Sequence, residues 1–424
     1  MYNNCKIPGN SNHLANQDKI KSVLNLSVGN GHVIVFPEKF ISSIHKSGSI
    51  RKNFYSEFSD TFTSEQVSVV SKGVIRNHVQ KALEYLFHKR GLPFVHLWFY
   101  PDGARNIFSF RIDTDMGSKE DIISLDDLLQ DYNIPATWFV ETKSSQKWID
   151  LFLKLNNQEI SYHCYRHKNF FSNKKNAENI AIGLKVLKDA GIKPKGYAAP
   201  YGEWNKKIAG AIDSFSFLYS SEFGFAYDTL PLFPYCRNGF SKTLQIPIHP
   251  VSVGRLHWGG HSEENMLKYF SRIIEQKLLF NEPVILYTHP FEKRLKVFEK
   301  VFESIINYNA EISKDINSGT KKIRILTFSD YAEWWKKRLT VKWSAEVKNN
   351  KVFIKGIDAD ESIKCRAAYP SGENCILSAG DDESFNIGDA GIDFHPLVNP
   401  VELRRRTLKM IKHDILGKIR KLKQ

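Results

Sequence analysis

Between about residues 104 and 335 short apolar runs alternate with segments of helical period, and this order restricts the fold more than any other feature of the 424-residue chain. Strand-like runs fall at Asn106–Ile112, Ala136–Val140, Glu159–Tyr162, Gly196–Ala199, Ser216–Ser220, Val284–Thr288 and Arg324–Thr327. Helical spacing falls between them at Asp121–Asp131, Gln146–Asn156, Ala177–Ala190, Glu263–Leu279 and Arg294–Asn307. Parallel strands cannot be joined by a tight turn, so strands separated by helices of this length specify an α/β fold whose parallel sheet has helical crossovers.

Three of these runs deliver chemistry at one end. Phe108–Asp115 reads Phe-Ser-Phe-Arg-Ile-Asp-Thr-Asp, an apolar run that ends in two carboxylates. Ser161–His167 holds His163 and His167 four apart, which would share one face if the segment were helical. Pro283–Pro290 ends in His289. Read singly, a His-x-x-x-His pair is commonly coincidental, and a carboxylate after a strand commonly caps the next helix, here one beginning near Lys119. Read together in chain order, Asp113, Asp115, His163, His167 and His289 are the inventory of a metal-assisted hydrolase.

With Ala199-Pro200-Tyr201, Leu286-Tyr-Thr-His-Pro290 and the block Ile134-Pro-Ala-Thr-Trp-Phe-Val140 added, the chain resembles the polysaccharide deacetylases, the NodB-homology domains of carbohydrate esterase family four. The resemblance spans about residues 104–335. It implies a deformed (β/α) barrel with a metal at the C-terminal ends of the strands. It also implies Asp115, His163 and His167 as metal ligands, Asp113 as catalytic base, His289 as catalytic acid, and the Tyr201 N–H beside Pro200 as oxyanion donor. Zinc suits a nitrogen-rich three-ligand site, with cobalt or iron as alternatives.

Two departures from the family pattern stand out. Many members carry an arginine two residues before the proline of Arg-x-Pro-Tyr, where it orients the base; this chain has Ala198. Arg111, which shares a strand face with Asp113, and Arg166, which lies between the histidines, are the candidates to replace it, against an ordinary salt-bridge role for both. The stretch Tyr219–Asp228 lacks the family's Asp-x-x-x-Trp, and Glu222 and Tyr227 there are read as lining the substrate groove, with core packing of the aromatics as the alternative. His249, His257 and His261 stay outside the catalytic set.

The expected division is a 1–103 α/β extension, a 104–338 catalytic barrel, a small β-sandwich-like domain at 339–396 and a terminal basic amphipathic helix at 397–424. In the extension, Gly29–Pro37 reads as a glycine turn and strand, and Glu65–Lys89 has helical spacing. Val341–Lys355 reads as strand, Asn-Asn turn, strand. Five cysteines form no zinc spacing; reduced thiols are expected, although Cys365 and Cys375 could face each other across a hairpin. Met1–Gln17 is polar and no run of eighteen apolar residues occurs, which leads us to expect a chain neither secreted nor membrane-spanning.

The chain carries a formal charge of +14, and residues 401–424 supply +7 of it from nine Lys or Arg and two acidic residues. Leu408, Ile411, Ile415, Ile419 and Leu422 recur every three or four positions there, the pattern of a helix lying on an anionic membrane surface. No recognition motif accompanies the charge, so nucleic acid is not expected.

The first functional reading is metal-dependent removal of an acyl group, acetyl first, from an N-acylated sugar. The sugar would be lipid- or nucleotide-linked, at the cytoplasmic face of the membrane, in envelope or surface-polysaccharide assembly. The alternatives are deformylation of a formamido sugar, hydrolysis of another non-peptide amide, and a catalytically inactive carbohydrate-binding module. Retention of both Asp113 and His289 argues against the last.

Overall fold

The computed structural model describes residues 5–6, 22–37, 40–54, 63–115, 117–236, 239–290, 295–314, 321–356, 360–378, 382–384, 408, 411–412 and 415–416. They divide into two compact units. One is built from described parts of Ser47–Val69, Asn106–Glu333 and Val401–Gln424, the other from described parts of Met1–Lys46, Val70–Arg105 and Trp334–Pro400.

The first unit holds the alternating region. Its strands are β1 Asn106–Asp113, β2 Ala136–Glu141, β3 Glu159–Cys164, β4 Gly196–Tyr197, β5 Tyr219–Ser220, β6 Leu244–Gln245, β7 Val284–Thr288 and β8 Ile323–Ile325. They pair in parallel in the order β6-β5-β4-β3-β2-β1-β7, with β8 on the Asn106–Phe108 end of β1. The sheet curls until the chain beyond β6 meets β7, where the His249 N–H donates to the Ile285 carbonyl at 3.0 Å. The result is a deformed (β/α) barrel.

Every residue of β1 is buried, as expected for a central parallel strand covered on both faces. Its two faces do different work, because successive side chains alternate sides. Phe108, Phe110 and Ile112 join the hydrophobic core, with Phe110 edge-on to Phe298 at 4.7 Å on the helix Leu295–Lys314. Burying each such side chain contributes about 1.5–3 kcal/mol. Ser109, Arg111 and Asp113 take the opposite face.

The helix after β1, Lys119–Asp131, is capped by Ser118, whose hydroxyl accepts from the Asp121 N–H at 3.1 Å. Asp113 and Asp115 are therefore not needed as caps. Two expectations in this region are corrected. His163 lies on strand β3 and His167 on the turn after it, not on a helix. The segment Gln146–Lys154 is a 3₁₀ run interrupted at Trp148, where φ is −137°, rather than an α-helix.

A hairpin of Ser49–Phe54 and Thr63–Ser68 also belongs to this unit. The Ser68 N–H donates to the Phe223 carbonyl at 2.9 Å, Arg255 Nε donates to the Ser64 carbonyl at 2.8 Å, and Phe54 lies edge-on to Tyr227 and His249. The sequence-based boundary at 103 is thus corrected, since part of the extension walls the barrel. The helical spacing begins later than expected as well: Thr63–Ser68 is strand, and the helix runs Lys72–His88.

In the second unit, Phe94–Leu97 pairs antiparallel with Cys365–Ala368, which pairs with Asn374–Leu377. The small β-sandwich-like domain expected at 339–396 thus shares a sheet with an earlier segment, Phe94–Leu97. The Asn-Asn turn is present, with Asn349 and Asn350 at φ 51° and 56° joining Ser344–Lys348 to Lys351–Lys355. Ala367, not Cys365, lies opposite Cys375, and Cys164, Cys236, Cys365 and Cys375 form no disulfide.

Candidate active site

Asp113 ends β1 and Asp115 follows two residues later, both almost fully buried. Arg111, 1% exposed, forks onto Asp113: Nε donates to Oδ1 at 2.6 Å and Nη2 to Oδ2 at 2.7 Å. Its Nη1 donates to the Ser221 carbonyl at 2.5 Å, and its guanidinium lies 4.9 Å from the Phe139 ring centroid. Charge-assisted bidentate bonds of this kind are among the strongest side-chain contacts. Burial would raise the Asp113 carboxyl, but Arg111, together with His163 and His289, outweighs it and holds the group below its ordinary value.

The histidines are positioned by backbone and by asparagines. His163 Nδ1 lies 2.6 Å from the Ala198 carbonyl, which can only accept, so Nδ1 carries the proton and Nε2 presents its lone pair inward. Asn179, on the helix Asn173–Asp189, clamps the turn before His167 by accepting from the Arg166 N–H at 3.1 Å and donating to its carbonyl at 3.3 Å. Asn176 does the same for Phe170, at 2.8 and 2.9 Å. These two asparagines escaped sequence reading, because polar residues on a helix ordinarily face solvent.

Four side chains converge on Asp115. His163 Nε2 lies 3.5 Å and His289 Nε2 3.7 Å from Oδ1, and His167 Nε2 lies 3.5 Å from Oδ2. Asp113 completes the group. The ligand atoms of Asp115, His163 and His167 all lie within 4.8 Å of one another. Asp115 Oδ1 and His163 Nε2 are buried and have no hydrogen-bond partner among the described residues. Leaving a buried polar atom unsatisfied costs about 1–3 kcal/mol, so this donor set fits a divalent cation that would take both lone pairs. Burial, against the opposing pull of the Asp115 carboxylate, leaves the His167 imidazole lowered to about 4, which keeps its nitrogen free of a proton at neutral pH.

Pro200-Tyr201-Gly202 forms a tight turn against this group. Tyr201 has φ 61° and Gly202 φ 56°, and the Tyr201 ring meets His167 edge-on at 4.5 Å. Asn169 Nδ2 donates to the Pro200 carbonyl at 2.8 Å, joining the turn to the His167 segment. Glu222 is fully buried beneath the turn, where it accepts from the Ala199 N–H at 2.9 Å and from Gln245 Nε2 at 2.6 Å. The expectation that Glu222 lines the groove is therefore corrected. Tyr227 instead meets the hairpin, its hydroxyl accepting from Lys52 Nζ at 3.2 Å.

Of the two arginines, Arg111 reaches Asp113, while Arg166 bonds Asn179 through its backbone. His249, buried against the Tyr269 hydroxyl at 3.0 Å, and His261, 3.4 Å from the Thr63 hydroxyl, serve packing.

A family model described as polysaccharide deacetylase matches residues 112–219, the stretch that contains Asp113, Asp115, His163, His167 and the Tyr201 turn. The chain carries a polysaccharide deacetylase domain. Solved structures similar to it include a polysaccharide deacetylase of Mycobacterium smegmatis, 19% identical, covering 57% of this chain and 93% of that one at a TM-score of 0.44. The peptidoglycan deacetylase PdaC of Bacillus subtilis is 14% identical, with 56% and 95% covered at 0.35. A family-four pseudoenzyme of Bacillus anthracis is 14% identical, with 70% and 94% covered at 0.36. No curated protein matches the chain. Among the described residues no helix is long and apolar enough to cross a membrane.

Proposed function

We propose that the deacetylase domain is a metal-dependent amidohydrolase that removes an acyl group, acetyl first, from an N-acylated sugar. The observation that carries the reading is the pair of buried, unpartnered atoms Asp115 Oδ1 and His163 Nε2, facing each other 3.5 Å apart with a carboxylate and an imidazole on either side.

A divalent cation held by Asp115, His163 and His167, with zinc favoured over cobalt or iron, would supply the Lewis acidity that polarises the amide carbonyl. Asp113, kept ionised by Arg111, takes the proton of the attacking water on a carboxylate oxygen. The Tyr201 N–H donates to the carbonyl oxygen as negative charge builds there, and its turn is fixed in advance by the Asn169 and Glu222 bonds. His289 gives a ring proton to the departing nitrogen, so that the sugar leaves as a neutral amine. Base and acid then flank Asp115 from two strands, β1 and β7.

The substrate in this reading is a lipid- or nucleotide-linked sugar in envelope or surface-polysaccharide assembly. Support comes from the tail, where the described residues Leu408, Ile411, Ile415 and Leu416 are helical and solvent-exposed among basic neighbours. A helix of this kind binds anionic lipid by apolar burial, with about 1 kcal/mol from each basic residue near the surface. On this reading the enzyme works peripherally at the cytoplasmic face.

The test is acetate release from N-acetylated oligosaccharides by zinc-loaded protein and by an Asp113→Asn variant. Release by the first, reduced about 10²–10⁴-fold in the second with its metal retained, is the expected result. No release by the zinc-loaded protein across N-acetyl and N-formyl sugars would overturn the reading.

A further inference from the structure

Two overlapping sets of side chains at this centre could hold a cation. The ligand atoms of Asp113, Asp115 and His289 lie within 4.8 Å of one another, as do those of Asp115, His163 and His167. Asp115 belongs to both sets and Asp113 to one, so distance alone does not keep Asp113 from joining Asp115 on the metal. Their difference lies in what stands behind each. Both oxygens of Asp113 accept from the Arg111 fork at 2.6 and 2.7 Å, whereas Asp115 Oδ1 accepts from nothing among the described residues.

Arg111 cannot follow Asp113 toward the centre. Its third nitrogen is tied to the Ser221 carbonyl at 2.5 Å, and the Phe139 and Tyr287 rings stand 4.9 and 5.8 Å from the guanidinium. Glu222, also without solvent exposure, lies within electrostatic reach behind it, anchored by the Gln245 amide, the Ala199 N–H and the Ser220 hydroxyl. A buried cation with a carboxylate on each side is held by charge balance as well as by hydrogen bonds. Ala198 and Ala199 bring no competing cation from the neighbouring turn.

We propose that Arg111, braced by Glu222, is a positioning residue that holds Asp113 out of the metal's ligand set and thereby reserves it as the base. Without the fork, Asp113 joins Asp115 as a second carboxylate ligand. The inference rests on the metal reading above and adds how the ligand set is chosen.

The experiment is cobalt(II) titration of the full chain, followed by visible absorption, with wild type, Arg111→Met and Arg111→Met/Asp113→Asn compared. Methionine fills the space between the aromatic rings without a charge. Arg111→Met is expected to shift the cobalt bands and to tighten cobalt binding on the order of 10-fold, the scale on which outer-shell partners act. The double variant, which lacks the freed carboxylate, is expected to return to the wild-type spectrum. With substrate, kcat of Arg111→Met falls while KM changes little. Should Arg111→Met not fold, Arg111→Lys, which keeps the charge but loses the fork, must show the same shift at smaller size. An unchanged spectrum and affinity overturn the inference while leaving the metal reading intact. A wild type that binds no cobalt overturns both.

Discussion

Gly202→Ala tests whether the Tyr201 turn is as tightly determined as the geometry demands. Gly202 sits at φ +56°, and a Cβ added there would lie 2.3 Å from two carbons of the Phe223 ring and 2.6 Å from a third. Ordinary contact begins at 3.4 Å, so the ring or the turn must retreat by about 1 Å. Phe223 has little room, being buried, 6.1 Å from the Tyr287 ring, and tied through its carbonyl to the Ser68 N–H. The left-handed backbone costs an alanine about 1–2 kcal/mol and the overpacking about 1–3 kcal/mol more. The variant should lose about 2–5 kcal/mol in urea unfolding. If the turn moves instead of the ring, the Tyr201 N–H leaves its place by about 1 Å, a displacement that costs on the order of 100-fold in rate. Urea midpoints and kcat for acetate release measure the two effects. A variant as stable and as fast as wild type would refute the reasoning about the turn.

Two further outcomes are expected. In metal-free protein, burial would raise the Asp115 carboxyl, but His289, His167 and His163 outweigh it and hold it well below the usual carboxylate range. A group depressed on folding stabilises above its unfolded value near 3.8 and loses that contribution as pH falls. The advantage of wild type over Asp115→Asn should therefore shrink by about 1.4 kcal/mol per pH unit below that value, read by urea unfolding across acid pH; a constant difference contradicts it. Deleting residues 401–424 should abolish co-sedimentation with phosphatidylserine vesicles and leave turnover of a soluble substrate unchanged, and undiminished sedimentation would remove the tail from the account.

Much of the barrel was legible because its buried strands write short, largely apolar runs bounded by helical spacing: β7 is apolar up to its last residue, and β1 alternates Phe108, Phe110 and Ile112 with Ser109, Arg111 and Asp113. Period 2 put Arg111 on the strand face of Asp113 but left Arg166 open as a second candidate, and only the fork of Arg111 onto Asp113 separates them. The His-x-x-x-His spacing misled, because a strand end followed by a turn brings two imidazoles together as well as a helix does. His163 and His167 stand 5.1 Å apart by that route. Glu222 was misplaced for a different reason: nothing local marks a carboxylate as buried when its partners, Ala199 and Gln245, come from other strands' ends. The domain boundaries failed for the same cause, as Phe94–Leu97 pairs with Cys365–Ala368 across most of the chain and such pairing leaves no local period.

The claim that Asp115, His163 and His167 hold a catalytic cation is tested most directly by metal content. Elemental mass spectrometry on protein purified without chelator and then incubated with zinc should find about one zinc per chain, lost in a His163→Ala variant that remains folded. Metal absent from both, or retained in full by the variant, would contradict it.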